Sequence, residues 1–257
     1  MGDNLNFRGK QGQVTIFIIL AIVIVVLGLL IYFFLPQLKS TVGLETKDPY
    51  SFMRSCMEDK IENVVENLSL QGGSVNPSNS YLYQGYDIEY SCYTNEYYKL
   101  CSVQQPFLRK HVTSEIKNSI EEDVSSCFEA LKQDYQNKGY QVNLKSGEVV
   151  VELLPKRIVT DFEYELTLTK DSSEKYDKFN VILNNNLYEL IAVASSITEW
   201  ETALGEAEPL KYMMLYPDLK VEKIKRSDET KIYILTDKNT EKKFQFASRS
   251  LAFPPGY

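Results

Sequence analysis

The residues of this chain that could do chemistry are few: one histidine, four cysteines and a scatter of carboxylates. His111 is read as lacking cysteine or acidic company at ligand spacing, which makes it a boundary histidine rather than a general base. Cys56, Cys92, Cys101 and Cys127 contain no Cys-x-x-Cys pair, which argues against zinc ribbons and thioredoxin-type centres. Four well-spaced cysteines are better read as two disulfides, and therefore as a sign of an oxidising compartment. In Val159–Thr169 the residues Asp161, Glu163 and Glu165 fall on one face of an alternating stretch. A glycosidase-type acid pair would need one of them in an apolar pocket, and the sequence marks none, so they read as a solvated strand face. There is no phosphate-cradling glycine loop, Gly-x-Ser-x-Gly, His-Glu-x-x-His or EF-hand pattern. No catalytic residue, metal site or cofactor is expected, and the chain is read as a non-enzyme. A net charge of −7 argues against nucleic acid as a partner.

What remains is the chemistry of contact. Seven tyrosines crowd between Tyr81 and Cys101: Tyr81, Tyr83, Tyr86, Tyr90, Tyr93, Tyr97 and Tyr98. Tyrosine offers rigid area with a hydrogen-bonding tip, which suits a partner surface, although half of them would serve equally to cover a hairpin. Asn67-Leu68-Ser69 is a glycosylation sequon, whereas Asn76-Pro77-Ser78 is excluded by its proline.

Several elements must position these residues. Asp48-Pro49 can cap and start a helix whose stripe (Phe52, Met53, Cys56, Met57, Val64, Val65 and Leu68) runs to about Leu70 before Gly72-Gly73. A second helix runs from Pro106 to about Gln136, with Leu108, Val112, Ile116, Ile120, Val124, Phe128 and Leu131 on its stripe. Cys56 and Cys127 both lie on buried stripes, so of the three pairings Cys56–Cys127 with Cys92–Cys101 is preferred. Tyr81–Tyr83 and Tyr86–Tyr90 read as a hairpin about Gln84-Gly85. Tyr140–Leu144 and Glu148–Leu154 read as another, about Lys145-Ser146-Gly147. Val159–Thr169 reads as one strand, Lys170–Asp177 as a charged loop, Phe179–Leu183 as a strand and Leu187–Gly205 as a third helix. Three short strands, Leu219–Ile224, Lys231–Thr236 and Lys242–Ala247, follow.

At the other end, Val14–Leu35 is apolar, and from Ile16 to Leu35 no residue is charged. As a helix this run reaches roughly 30 Å, the hydrocarbon thickness of a bilayer. Arg8 and Lys10 precede it, which by the positive-inside rule places the N-terminus in the cytoplasm and the rest outside. The whole is thus expected to be α+β: a single N-terminal transmembrane helix, then a disulfide-tied ectodomain of mixed helix and antiparallel sheet. The expected divisions are a basic leader at 1–12, the membrane helix at 13–35, a helical and hairpin part at 36–139 and a mostly antiparallel part at 140–257.

Arg8-Gly9-Lys10-Gln11-Gly12-Gln13-Val14-Thr15, a basic stretch and a Gly followed by Gln-x-Thr, resembles the class III signal peptide of archaeal type IV pilin-like proteins. That resemblance implies cleavage after Gly12 by a prepilin peptidase, with Gln13 as the new N-terminus and Thr15 in the usual Ser/Thr place. It also implies a cell-membrane or cell-surface filament location, with the bilayer and other pilin-like subunits, or further copies of the chain, as partners. Phe17 stands where many pilins carry a glutamate, a departure that bears on filament assembly. Cys56 with Gln71-Gly72-Gly73, and Phe244-Gln245-Phe246-Ala247, are broadly similar to surface proteins of small-genome archaea, which implies no activity. The function read from all this is a pilin-like, single-pass cell-surface protein for assembly or contact. The alternative is a monomeric, signal-anchored ectodomain that binds a ligand or partner.

Overall fold

Asp48 opens the folded part: its side chain accepts the Ser51 N–H at 3.3 Å, with Pro49 in the first helical turn. The computed structural model describes residues 19–26, 48–254 and 256. Helix α1, Pro49–Leu70, buries Met53, Met57, Ile61, Val65 and Leu68 at spacings of three and four. Gly72 and Gly73, at φ 85° and 102°, turn the chain away. Helix α2, Leu108–Asn137, buries the expected stripe from Leu108 to Leu131 and adds Tyr135. The disulfide Cys56–Cys127 ties α1 to α2, and Cys92–Cys101 closes a short loop. Both pairings are those the helical stripes favoured.

The expected membrane-spanning helix is corrected here. Among the described residues no helix is long and apolar enough to cross a membrane. Residues 19–26 are helical. Residues 13–18 and 27–35 of the expected span lie outside the described residues, as do Gly12, Gln13 and Thr15. The folded unit from Asp48 onward is α+β without a membrane helix.

Its strands form three sheets. The first contains β1 (Ser80–Tyr83), β2 (Tyr86–Tyr93), β12 (Lys243–Arg249), β11 (Lys231–Asp237) and β10 (Leu219–Lys225) in that order, with β3 (Ser102–Val103) on β2. It is mixed rather than antiparallel, because β12 and β2 run parallel. Strands from 36–139 and from 140–257 are thereby hydrogen-bonded neighbours.

The other two sheets are successive halves of one bent meander. Strand β4 (Gln141–Lys145) pairs with β7 (Glu165–Thr169), and β5 (Val149–Leu154) with β6 (Arg157–Phe162). The hairpin expected between β4 and β5 does not form. They are instead consecutive stretches of one arm that folds back at Pro155-Lys156, with Lys156 at φ 61°. Val159–Thr169 is likewise two strands, interrupted at Glu163-Tyr164 opposite residues 146–148. Gly147 sits in this joint, where a Cβ would lie 1.8 Å from the Glu163 carbonyl oxygen, so the chains meet only because that side chain is missing. Strands β8 (Ser173–Tyr176) and β9 (Phe179–Asn184) continue the third arm along β7 and β6. The stretch read as a charged loop therefore holds β8. The alternation survives the break: Phe162, Tyr164, Leu166 and Leu168 are all buried. Phe128 of α2 stacks on Tyr164 at 4.1 Å and meets Phe162 and Phe179 edge-on.

Helix α3, Leu187–Leu204, ends at Gly205 with φ 75° and lies against β12, β2, β11 and α2. A short helix follows that hydrophobic periodicity does not mark. This is α4, Pro209–Leu215, capped by Glu208 accepting the Leu210 N–H, and it packs on β10.

Candidate functional site

The tyrosine-rich stretch is built as a tight hairpin, with Gln84 and Gly85 at φ 51° and 89° as its two-residue turn. The structure distributes the seven tyrosines among four settings. Tyr81 and Tyr83 flank Arg226, whose guanidinium lies 5.9 Å from each ring centroid and donates to the Tyr81 hydroxyl at 3.1 Å. Tyr90 is buried, its hydroxyl 2.9 Å from Thr230 Oγ1 and its ring 4.8 Å from that of Tyr93. Burial pushes the Tyr90 phenol above its ordinary range. Tyr97 sits under Arg249 at 5.5 Å, and Tyr98 meets Phe253 edge-on at 5.5 Å. Tyr86, Tyr97 and Tyr98 keep exposed area. Tyr86 also lines a cavity of about 290 Å³ with Glu62, Glu66, Gln84 and Lys242. Asn67 is exposed on α1, whereas Ser69 of its sequon is buried and donates to the Val65 carbonyl at 2.6 Å.

His111 has company that sequence spacing hid. Its Nε2 lies 2.7 Å from Ser74 Oγ, and Ser74 donates to the buried Glu89 carboxylate. With the Ser74 hydroxyl donating to Glu89, its oxygen accepts from His111 in the tautomer that carries the proton on Nε2. The order is histidine to serine to carboxylate, which is not the serine-to-histidine order of a Ser-His-Asp triad. Ser74 and Glu89 are 3% and 5% exposed. The cluster fastens the turn after α1 onto β2 and α2. Glu115, one helical turn beyond His111, accepts the Val75 N–H at 2.9 Å, and the Gln71 side-chain amide donates to the Val75 carbonyl at 2.9 Å. Among the described residues no group of three or more His, Cys, Asp or Glu is placed to hold a metal ion.

A second buried network lies at the C-terminal end of α3. Glu201 is fully buried and accepts from Lys231 Nζ at 2.8 Å, from Ser248 Oγ at 3.0 Å and from the Tyr233 hydroxyl. Lys231 also donates to the Gly205 carbonyl and lies 3.2 Å from Glu206 Oε2. Burial, then the Glu201 charge, holds the Tyr233 phenol far above its ordinary range, so it stays a donor. With every partner satisfied from α3, β11 and β12, the network holds the helix on the sheet.

The surface that is left open lies on the outer side of α3. Between α3, α4 and the start of β10 runs a cavity of about 540 Å³ with Tyr188, Val193, Tyr212, Leu215, Tyr216 and Leu219 along it. Asn186, Glu189, Asp218 and Asp237 gather in its lining, with Lys156 as the one basic residue. A further cavity of about 290 Å³ adjoins it across Tyr188 and Ala192, lined by Phe107, Arg109, Lys110 and Ile191. Of the residues lining this double groove Phe107 and Leu215 are each more than 60% exposed and Tyr216 about half, and Leu210 and Met214 of α4 are exposed as well. Single exposed apolar residues are ordinary, but a cluster bordering a concave apolar lining marks a contact site. Arg109 lies over the Tyr188 ring at 5.4 Å and Lys211 over Trp200 at 5.2 Å, which keeps both rings at the rim. Burial raises the Tyr212 phenol despite the 3.0 Å contact with Ser196, so it faces the groove neutral. The sequence carried a signal for this site, Glu208-Pro209 opening a short helix with Leu210, Met214 and Leu215 in sequence after it.

Comparisons with protein-family models, with curated proteins and with solved structures return no match.

Proposed function

We propose that the unit from Asp48 onward is a non-catalytic docking domain that works outside the reducing cytosol, in surface contact or assembly, through the groove on α3 and α4. The observation that carries this reading is the double apolar groove lined by exposed Phe107, Leu215 and Tyr216. Burying such a surface would gain about 25 cal/mol per Å² of apolar area removed from water. The two disulfides support an oxidising compartment. The closed Ser74–Glu89 pair supports a role without covalent chemistry. Pilin-like processing after Gly12 belongs to the same reading of a surface protein and rests on Arg8–Thr15 alone. N-terminal sequencing of the native chain tests it: Gln13 as first residue supports it and an intact leader overturns it.

The docking role is tested in the native cell with a photo-crosslinking residue at Leu215, and with the same residue at exposed Glu122 on α2 as control. A discrete adduct at Leu215, absent at Glu122 and lost in Ala192→Arg, is the expected result. Equal adducts at both positions, or an adduct indifferent to Ala192→Arg, refute the reading.

A further inference from the structure

The groove is not uniform in charge. At one end Glu189, Asp218 and Asp237 face a single basic residue, Lys156, while at the other Arg109 and Lys110 stand without an acidic lining residue. Two of the four buried side-chain oxygens that lack a hydrogen-bond partner among the described residues belong to the acidic end: Asn186 Oδ1 and Glu189 Oε2. Their companion atoms are occupied. Asn186 Nδ2 donates to Asp237 Oδ2 at 2.6 Å, and Glu189 Oε1 accepts the Lys156 N–H at 3.0 Å. What is missing at this end is therefore a donor, and a buried acceptor left unpaired is costly. Between the two ends the lining is apolar and spans both cavities, a length that suits an extended segment rather than a compact small molecule.

On the docking role proposed above, we infer that the occupant is a polypeptide segment of defined polarity. It has a Lys or Arg at one end, apolar side chains in the middle and a carboxylate at the other. The cation enters beside Glu189 and Asn186, where its N–H groups supply the missing donors after a small outward movement of the groove wall. The apolar residues lie on Tyr188, Ala192, Val193 and Leu215. The carboxylate meets Arg109 and Lys110 at the rim. A segment of reversed polarity would place its carboxylate against Glu189, Asp218 and Asp237, and like charges brought together at a docking site select against it.

The test is selection of a displayed library of short random peptides on the intact protein, with Ala192→Arg protein as counter-selection. Sequences that survive are then measured by fluorescence anisotropy, forward and with their end charges exchanged. The expected result is enrichment of basic–apolar–acidic order, with exchange of the charges weakening binding by about tenfold. Glu189→Gln should weaken the forward peptide severalfold and Arg109→Ala somewhat less, because its site is more exposed. Enriched peptides that depend on Ala192 but bind equally after charge exchange overturn the polarity while leaving the docking role intact. No enrichment that depends on Ala192 overturns both. Sedimentation of the protein alone is run alongside. A concentration-dependent dimer abolished by Ala192→Arg would name a second copy as occupant and overturn the free-segment inference.

Discussion

Replacing Lys231 with Met tests the assignment of the Glu201 network as the fastening between α3 and the sheet. Glu201 is fully buried and its one close cation is Lys231, with Tyr233 and Ser248 supplying hydroxyl donors. Lys231→Met leaves those hydroxyls in place and strands the carboxylate in a low-dielectric interior. Breaking a buried pair in this way costs about 3–5 kcal/mol. Glu201→Gln strands the ammonium less completely, because Lys231 keeps the Gly205 carbonyl and the half-exposed Glu206. About 2–3 kcal/mol is expected from it. The double variant removes both charges and leaves a neutral amide for Tyr233 and Ser248, so it should cost about 1–2 kcal/mol, less than either single change. Guanidinium unfolding followed by circular dichroism gives all three values, provided the slopes agree. In a domain of this size the Lys231→Met loss corresponds to a fall in Tm of about 6–20 °C. If Lys231→Met costs under about 1 kcal/mol, or if the double variant equals the sum of the singles, the network does not couple as described.

The two disulfides should differ in worth. Closing a sequence separation of 71 restricts the unfolded chain by about 4.4 kcal/mol on the chain-entropy model, and closing one of 9 by about 2.6. Denaturant midpoints of the Cys56→Ser/Cys127→Ser and Cys92→Ser/Cys101→Ser pairs, each with the other bridge intact, read this difference directly. Acid should expose Glu206. Burial raises its pKa, but the hydrogen bond from Lys223 and the charges of Lys231 and Lys223 outweigh this and hold it below the ordinary 4.5. A carboxylate with a lowered folded-state pKa adds stability that is complete above 4.5 and is lost as pH falls through the folded value. Glu206→Gln should therefore lower stability modestly at neutral pH and flatten the acid limb, as measured by unfolding at a series of pH values.

The elements that could be read locally were those whose signals are local. The stripes of α1 and α2, the Asp48-Pro49 start, the Gly72-Gly73 stop and the Gly205 cap each depend on neighbours within a turn or two. Periodicity also placed Cys56 and Cys127 on facing stripes, and hence their pairing. By contrast, the β4–β5 hairpin failed because a Lys-Ser-Gly joint between alternating stretches looks the same whether the chain folds back or continues. Only Gly147 meeting the Glu163 carbonyl decided for continuation. The α4 helix was missed because seven residues carry too little period to outweigh the Pro and Gly around them.

Sequence by itself determined composition-level facts: few catalytic groups, acidic charge, paired cysteines, helix stripes and the phase of strand alternation. Those follow from the type and order of residues along a single segment. Tertiary structure alone decided which strand lies beside which, including the parallel contact of β2 with β12 that joins residues more than 150 apart. It also decided that His111, Ser74 and Glu89 share a cluster, and that Tyr188, Ala192 and Leu215 border one groove. The physical reason is that burial and hydrogen-bond satisfaction are properties of the space between segments. Many chain traces satisfy the same local patterns, and the choice among them is made by how several elements close over one core at once.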